Sequence, residues 1–381
     1  MSRSESAAAA PPPPPPPIPH KIWQIWLQPA DAGPDSDTAI GTVQSQHAHL
    51  TASWTTHNPG WTRRLLDNDS AREFVVREFH AHADIMLAWT TAAAVPILQA
   101  DLLRYLVLYI EGGVYADLDA ECVKGVDEWP VDWTAGPEPY GVELLVGVEY
   151  DKIKIAVENE IDYEIDYDSH QRLEERQRFP DDMQFATWTI AAKPRSQLLW
   201  AVIQEIAHNL NSNTPTPAGK DKKGEEEEVE LDLDRTPIEP RHAGSLAGSL
   251  TESLVMDLTG PRAFTRALFR ALTLRLRVDE KTKTNPNPDL NLALTPTSKD
   301  NLQSRPEGTS KDNPQSRPEG ASVGHADLTG LTEPKAIGGL VVLPVTAFAC
   351  EQPHSNAGRW TDPDVLVIHK YHHSWAVQVQ R

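Results

Sequence analysis

Two aspartates separated by one leucine, Asp117 and Asp119, close an apolar run in the segment Gln99–Trp129 (QADLLRYLVLYIEGGVYADLDAECVKGVDEW). On a strand, side chains alternate, so both carboxylates leave one face while Leu118 points into a core. Two hard oxygen ligands at one strand end suit a divalent cation, Mg²⁺ or Mn²⁺, that also grips a diphosphate. A departing nucleoside diphosphate gains negative charge, and such a cation neutralises it. In isolation the triplet reads as a solvated turn, because a motif without its site is weak evidence. Its setting after a helix, a Gly-Gly break and an apolar strand argues for a buried strand end, where ligands of open α/β sheets bind.

The positioning helix is legible over Pro96–Ile110, where Leu98, Leu102, Leu106 and Tyr109 recur at helical spacing and Pro96 suits the first turn. Asp101 and Arg104 lie one turn apart on it, with Tyr105 beside them. Their spacing alone favours an ion pair on a solvated face, worth a few tenths of a kcal/mol. The functional alternative has Arg104 meeting donor phosphate or sugar hydroxyls, with Asp101 fixing it or binding a sugar hydroxyl. Lys21–Leu27 reads as the first strand, and Val114–Leu118, Leu144–Val148, Trp188–Ala191 and Leu340–Leu343 as further strands. Asn58-Pro59-Gly60 marks a turn, and Asp69 or Ser70 is the expected cap of a helix toward Phe79. Ser196–Asn209 and Pro261–Leu272 read as amphipathic helices. Strands alternating with helices indicate an α/β sandwich with a largely parallel sheet.

The remainder of the chain looks unable to pack. Met1–Pro17 is low-complexity and ends in a proline run. Polar stretches at about 211–248 and 279–334 are expected to be disordered inserts in one domain covering 18–381; the second holds the tandem repeat TSKDNLQSRPEG/TSKDNPQSRPEG. A smaller acidic stretch, Glu158–Asp168, is expected to be an edge hairpin or a solvated insert. The net charge of −20 argues against a nucleic-acid partner, which requires Lys and Arg to neutralise phosphates. Cys122 and Cys350 lack zinc-site spacing and read as buried thiols. Neither a signal peptide nor a membrane span is visible, so the expectation is a soluble protein or a truncated gene product.

The helix, glycine pair and aspartates resemble the DXD-containing glycosyltransferases of family 32, whose hallmark order is kept by Asp101, Arg104, Tyr105, Gly112, Gly113, Tyr115, Asp117 and Asp119. Further blocks agree in order: Ile18–Gln24, Trp54 with Asn58-Pro59-Gly60, Thr259-Gly260-Pro261, Leu343-Pro344 and His369 with Ser374-Trp375. Gln184-Phe185 with Trp188-Thr189-Ile190 is similar to the fungal initiation-specific α-1,6-mannosyltransferases. The resemblance implies a GT-A type fold, Mn²⁺ (or Mg²⁺), and retaining transfer of mannose from GDP-mannose to a glycan acceptor, with α-1,6 transfer onto N-linked glycans as the leading activity. Transfer to inositol phosphorylceramide and a catalytically degenerate sugar-binding paralogue are the alternatives. It implies donor binding by Asp101, Arg104, Tyr105, Gly113, Tyr115 and Trp23, and a metal shell of Asp117, Asp119 and His369. His372 and His373 rival His369, since His373 replaces the family's glycine before Ser-Trp. Gln184 corresponds to a residue beneath the reacting sugar carbon; Trp23 and Trp26 read first as core residues, with one of them as the alternative wall of the nucleotide pocket. A Golgi location is implied as well, and the sequon Asn68-Asp69-Ser70 fits lumenal exposure.

Overall fold

The computed structural model describes residues 18–29, 40–133, 141–152, 179–212, 251–284, 322–352 and 354–371. Met1–Pro17, the acidic stretch 158–168, the tandem repeat, His372, His373, Ser374 and Trp375 lie outside the described residues.

The first half of the fold alternates strand and helix. Strand β1 (Lys21–Ile25) pairs in parallel with β2 (Thr62–Leu66), and helices α1 (Ile40–Gln46) and α2 (Ala48–His57) form the crossover between them. Helices α3 (Asn68–Phe79), α4 (Ala83–Thr91) and α5 (Pro96–Glu111) follow and lead into β3 (Gly113–Ala116), which lies parallel to β1 on its other side. The short strand β4 (Ala120–Cys122) then leaves the sheet. In the second half, β5 (Leu144–Asp151), β6 (Met183–Ala192), α6 (Gln197–Ser212), α7 (Glu252–Leu258), α8 (Pro261–Thr284), α9 (His325–Leu328), β7 (Lys335–Ile337), β8 (Leu340–Leu343), α10 (Val345–Ala349) and β9 (Val367–His369) complete the chain.

The main sheet has the order β2-β1-β3-β6-β5-β8-β7. Only β6 and β7 run against the rest, so five of its seven strands share one direction, as the largely parallel reading requires. Strand alternation sorts the apolar side chains into two layers. Trp23, Tyr115, Val146 and Ile190 pack on one face with α5, α6 and α8, whereas Ile22, Val114, Leu145 and Ala191 pack on the other with Trp54, Trp129 and Phe348. Every residue of β5 and β6 is buried, the mark of strands covered on both faces. The edge strand β2 instead exposes Thr62, Arg63 and Arg64, and charge on an edge discourages pairing with other chains.

Several expected boundaries move. Helix α3 is capped by Asp67, whose carboxylate accepts from Ser70 N at 3.0 Å while Asp67 N donates to Ser70 Oγ at 2.9 Å. Asp69 thus sits inside the helix, and Ser70 is the third residue of a reciprocal capping box. Helix α8 continues to Thr284, and the chain is described again from Ser322 with α9 and β7, so the margins of the second expected insert hold regular structure.

Gly112 ends α5 at φ 64°, and Gly113 starts β3 at φ 97°. A Cβ on Gly113 would collide with the carbonyl oxygen of Lys21 on β1. Both the positive φ and this backbone approach need glycine, because no other side chain accepts them without strain. Gly113→Ala is therefore expected to cost about 1–3 kcal/mol in a urea titration. A variant as stable as the parent would show that β1 and β3 are not packed this closely.

Candidate active site

The aspartate pair does not lie on a strand. β3 ends at Ala116, and Asp117–Ala120 is a β-turn closed by Ala120 N donating to the Asp117 carbonyl at 3.1 Å. The alternation argument is thereby corrected: a turn, and not a shared strand face, aims the carboxylates. Asp117 keeps the parity of β3, and the hydroxyl of Tyr115 donates to its Oδ1. Asp119 is carried round the turn toward β9. There β4 pairs antiparallel with β9, Ala120 opposite His369, and Lys370 N donates to the Asp119 carbonyl at 3.0 Å.

This pairing delivers an imidazole to the carboxylates. His369 Nε2 lies 3.2 Å from Asp119 Oδ1 and 3.9 Å from Asp117 Oδ2. One ligand atom from each of Asp117, Asp119 and His369 falls within 4.8 Å of the others. Adjacent ligands on an octahedral cation bound at about 2.1 Å sit about 3 Å apart, so two carboxylates and one nitrogen at these separations fit a divalent cation of the Mg²⁺ or Mn²⁺ kind.

Asp101 and Arg104 are not on a solvated face. Their side chains are 5% and 6% exposed, and Arg104 Nη2 donates to Asp101 Oδ1 at 2.5 Å. Arg104 Nη1 donates to the Thr187 carbonyl at 2.8 Å and lies 3.7 Å from Asp117 Oδ1. The guanidinium covers the Tyr115 ring with 4.8 Å to its centroid. The other Asp101 oxygen accepts from Thr259 Oγ1 at 2.7 Å. Burial works against the Arg104 charge, but Tyr115, Asp101 and Asp117 outweigh it and hold the guanidinium protonated. Burial also pushes the Tyr115 hydroxyl well above its ordinary range, so it stays a neutral donor to Asp117. These partners make Arg104 a brace for Asp117 and Tyr115.

Asp101, Arg104, Tyr115, Asp117, Asp119 and His369 all line one cleft. Tyr105, Trp23, Gly113 and Gln184 do not. Tyr105 is fully buried, donating to the Thr259 carbonyl at 3.0 Å and stacked on Phe264. Trp23 donates to the Gly112 carbonyl at 2.9 Å inside the core, and Gly113 serves the backbone approach described above. Gln184 is 2% exposed and donates to Glu149 Oε2 at 2.7 Å, so the cleft meets Glu149 and not the amide. Sequence reasoning passed over Glu149, Thr187 and His47, all of which line the cleft. Alternation along β5 could have exposed Glu149, as a buried acid among seven uncharged or terminal strand positions; His47, between α1 and α2, left no such signal. Trp26, Ile25 and Leu27 at the end of β1 form an apolar wall with Leu118.

Comparison with known proteins places the chain among glycosyltransferase-like sequences. Residues 44–134 match the family described as "Glycosyltransferase sugar-binding region containing DXD motif". The chain is 23% identical over 362 residues to the initiation-specific alpha-1,6-mannosyltransferase of Schizosaccharomyces pombe, covering 94% of this chain and 64% of that protein. It is 26% identical over 386 residues to the initiation-specific alpha-1,6-mannosyltransferase of Saccharomyces cerevisiae, covering 94% and 78%. Against the putative glycosyltransferase HOC1 of the same yeast it is 29% identical over 189 residues, or 50% of this chain and 39% of that protein. The chain thus spans less than two thirds of the length of the first and last of these relatives.

Proposed function

We propose that this chain, which carries the DXD-containing sugar-binding region of a glycosyltransferase, moves a mannosyl residue from GDP-mannose to a glycan acceptor with retention at the anomeric carbon. The observation that carries this reading is the convergence of Asp117, Asp119 and His369 in one cleft, which Ile25, Trp26 and Leu27 also line. Likeness to the initiation-specific alpha-1,6-mannosyltransferases supports mannose as the sugar and an α-1,6 linkage; N-linked glycans are the acceptor we propose.

Asp117, Asp119 and His369 would hold a divalent cation, Mn²⁺ in this reading, which when bound neutralises charge growing on the departing nucleoside diphosphate. Charge in the lining makes such an ion necessary. Asp101, Asp117, Asp119, Glu149 and Glu252 face the single guanidinium of Arg104 among the described lining residues. Asp101 and Thr187 engage part of that guanidinium, and the excess of carboxylates in the lining would oppose a diphosphate without a cation. Tyr115 and Arg104 orient Asp117, and the wall of Ile25, Trp26 and Leu27 offers an apolar face to the nucleoside. Glu149, held by Gln184, offers a carboxylate to sugar hydroxyls.

We further propose that residues 18–381 form one catalytic domain behind a Pro-rich lead of 1–17. We propose a Golgi location on the family resemblance; among the described residues no helix is long and apolar enough to cross a membrane. The test is a donor screen of the purified chain with Mn²⁺ and an α-mannoside acceptor. GDP-mannose is expected to be consumed in preference to UDP-glucose or UDP-galactose, chelation to stop turnover, and proton NMR to show an α-linked product. Preference for a UDP-sugar would overturn the donor, and a β-linked product would overturn retention.

A further inference from the structure

An imidazole that binds a metal through one nitrogen ordinarily has its ring fixed by a hydrogen bond from the other nitrogen to a carboxylate or carbonyl. Among the described residues His369 has no such bond. Its Nδ1 is buried with no hydrogen-bond partner among the described residues, while Nε2 faces Asp119 and Asp117. What touches the ring is aromatic. The indole of Trp188 stacks on it with centroids 4.5 Å apart and planes 7° from parallel. Tyr371 meets the same imidazole edge-on at 4.2 Å and 80°, and meets Trp188 at 5.4 Å and 74°.

Trp188 is itself anchored. Its Nε1 donates to the Phe348 carbonyl at 3.1 Å, and its own carbonyl accepts from Asp117 N at 2.8 Å. The next residue, Thr189, pairs with Ala116 at the end of β3. The backbone of Trp188 is thus tied to the end of β3 and to the turn that carries the aspartates, and its indole is tied to Phe348. Rotation of an imidazole about its last torsion is soft, so the side chain alone does not fix the plane of the ring. Because the nitrogen lone pair lies in that plane, whatever fixes the plane also aims the lone pair.

We propose that Trp188 is the positioning residue for His369. Its stacked indole, with Tyr371 closing one edge, replaces the missing hydrogen bond and keeps the Nε2 lone pair aimed between Asp117 and Asp119. The proposal rests on the metal reading above. It differs from a plain core role in what a substitution should do: an indole that only filled space would affect stability and leave cation affinity alone.

The experiment is titration of the full chain with Mn²⁺ alone, by calorimetry and by the paramagnetic resonance signal of free Mn²⁺, with melting temperatures recorded for each protein. Trp188→Leu is expected to weaken Mn²⁺ binding about 10–100-fold, the usual loss when an outer partner of a ligand is removed. Trp188→Phe keeps a stacking face and is expected to stay within about threefold of the parent. Equal affinity in Trp188→Leu, or a loss in Trp188→Phe as large as that in Trp188→Leu, overturns the proposal. If Trp188→Leu does not fold, Tyr371→Leu takes its place: severalfold weaker binding supports the aromatic clamp, and unchanged binding overturns it. Asp117→Asn separates the two readings. If the parent shows no Mn²⁺ binding that Asp117→Asn removes, the metal assignment falls and the clamp with it. If the parent binds and Trp188→Leu binds as well, only the clamp falls.

Discussion

Asp117→Asn and Asp119→Asn are each expected to keep the fold and to lose about three orders of magnitude in turnover, the equivalent of about 4 kcal/mol of transition-state stabilisation. Asparagine is the informative replacement because it changes charge while preserving shape. At position 117 an amide oxygen still accepts from the Tyr115 hydroxyl, and the turn hydrogen bond from Ala120 N goes to the backbone carbonyl, which is untouched. At position 119 the carbonyl that receives Lys370 N also remains. The side chains of Asp117 and Asp119 are 27% and 13% exposed and face a cleft, so neither replacement opens a cavity in the core. What each removes is one anionic ligand from a group of two carboxylates and one imidazole. The check is kcat/KM with saturating Mn²⁺, Mn²⁺ affinity and the melting temperature on the same preparations. Either variant keeping more than about a tenth of parental turnover would place the essential ion elsewhere.

The parts of this molecule that were readable in the sequence are those whose signal is local. Helix α5 announces itself by leucines at helical spacing behind Pro96, and β1 and β8 by short apolar runs bounded by turn residues. β2 was missed because Thr62-Arg63-Arg64 shows an edge strand's exposed residues and little of the alternation that identifies a half-buried one. β4 and β9 are three residues each, too short for any period, although their pairing is what brings His369 to Asp119. His369 was reached through resemblance for that reason. The aspartate pair was placed at the right end of the right strand, but alternation stood in for a turn that only the structure reveals. For Asp101 and Arg104 the local spacing pointed the wrong way. The residues that hydrogen-bond to them in the interior, Thr259 and Thr187, lie 158 and 83 positions along the chain, beyond the reach of a pattern on one helix.

Arg104→Ala is expected to lose about 3–5 kcal/mol of stability, since removing one partner of a buried ion pair strands the other charge away from water. Asp101 would be that stranded charge, 4% exposed and left with the Thr259 hydroxyl as its remaining named partner. Burial already pushes the Asp101 carboxyl up, against the pull of Arg104 and Thr259, and loss of Arg104 raises it further. A carboxyl whose folded pKa exceeds its unfolded one binds more protons in the native state, so stability falls as pH rises. The deficit of Arg104→Ala should therefore be largest near neutrality and shrink as the pH drops toward the ordinary aspartate value of about 3.9. Urea titrations at several pH values measure this directly. A guanidinium that mainly contacted donor phosphate would give the opposite pattern: a higher KM for the donor, no stability loss and no such pH trend. The double variant Arg104→Met with Asp101→Leu separates the brace from the charge. Apolar replacement of a buried pair is often neutral or better, so much of the lost stability should return. Turnover should not return, because Tyr115 and Asp117 would still lack the cation that covers the ring and lies 3.7 Å from the carboxylate. Recovery of both together would mean that the pair serves the fold alone, and that the orientation of Asp117 is set by the turn and Tyr115 without help from α5.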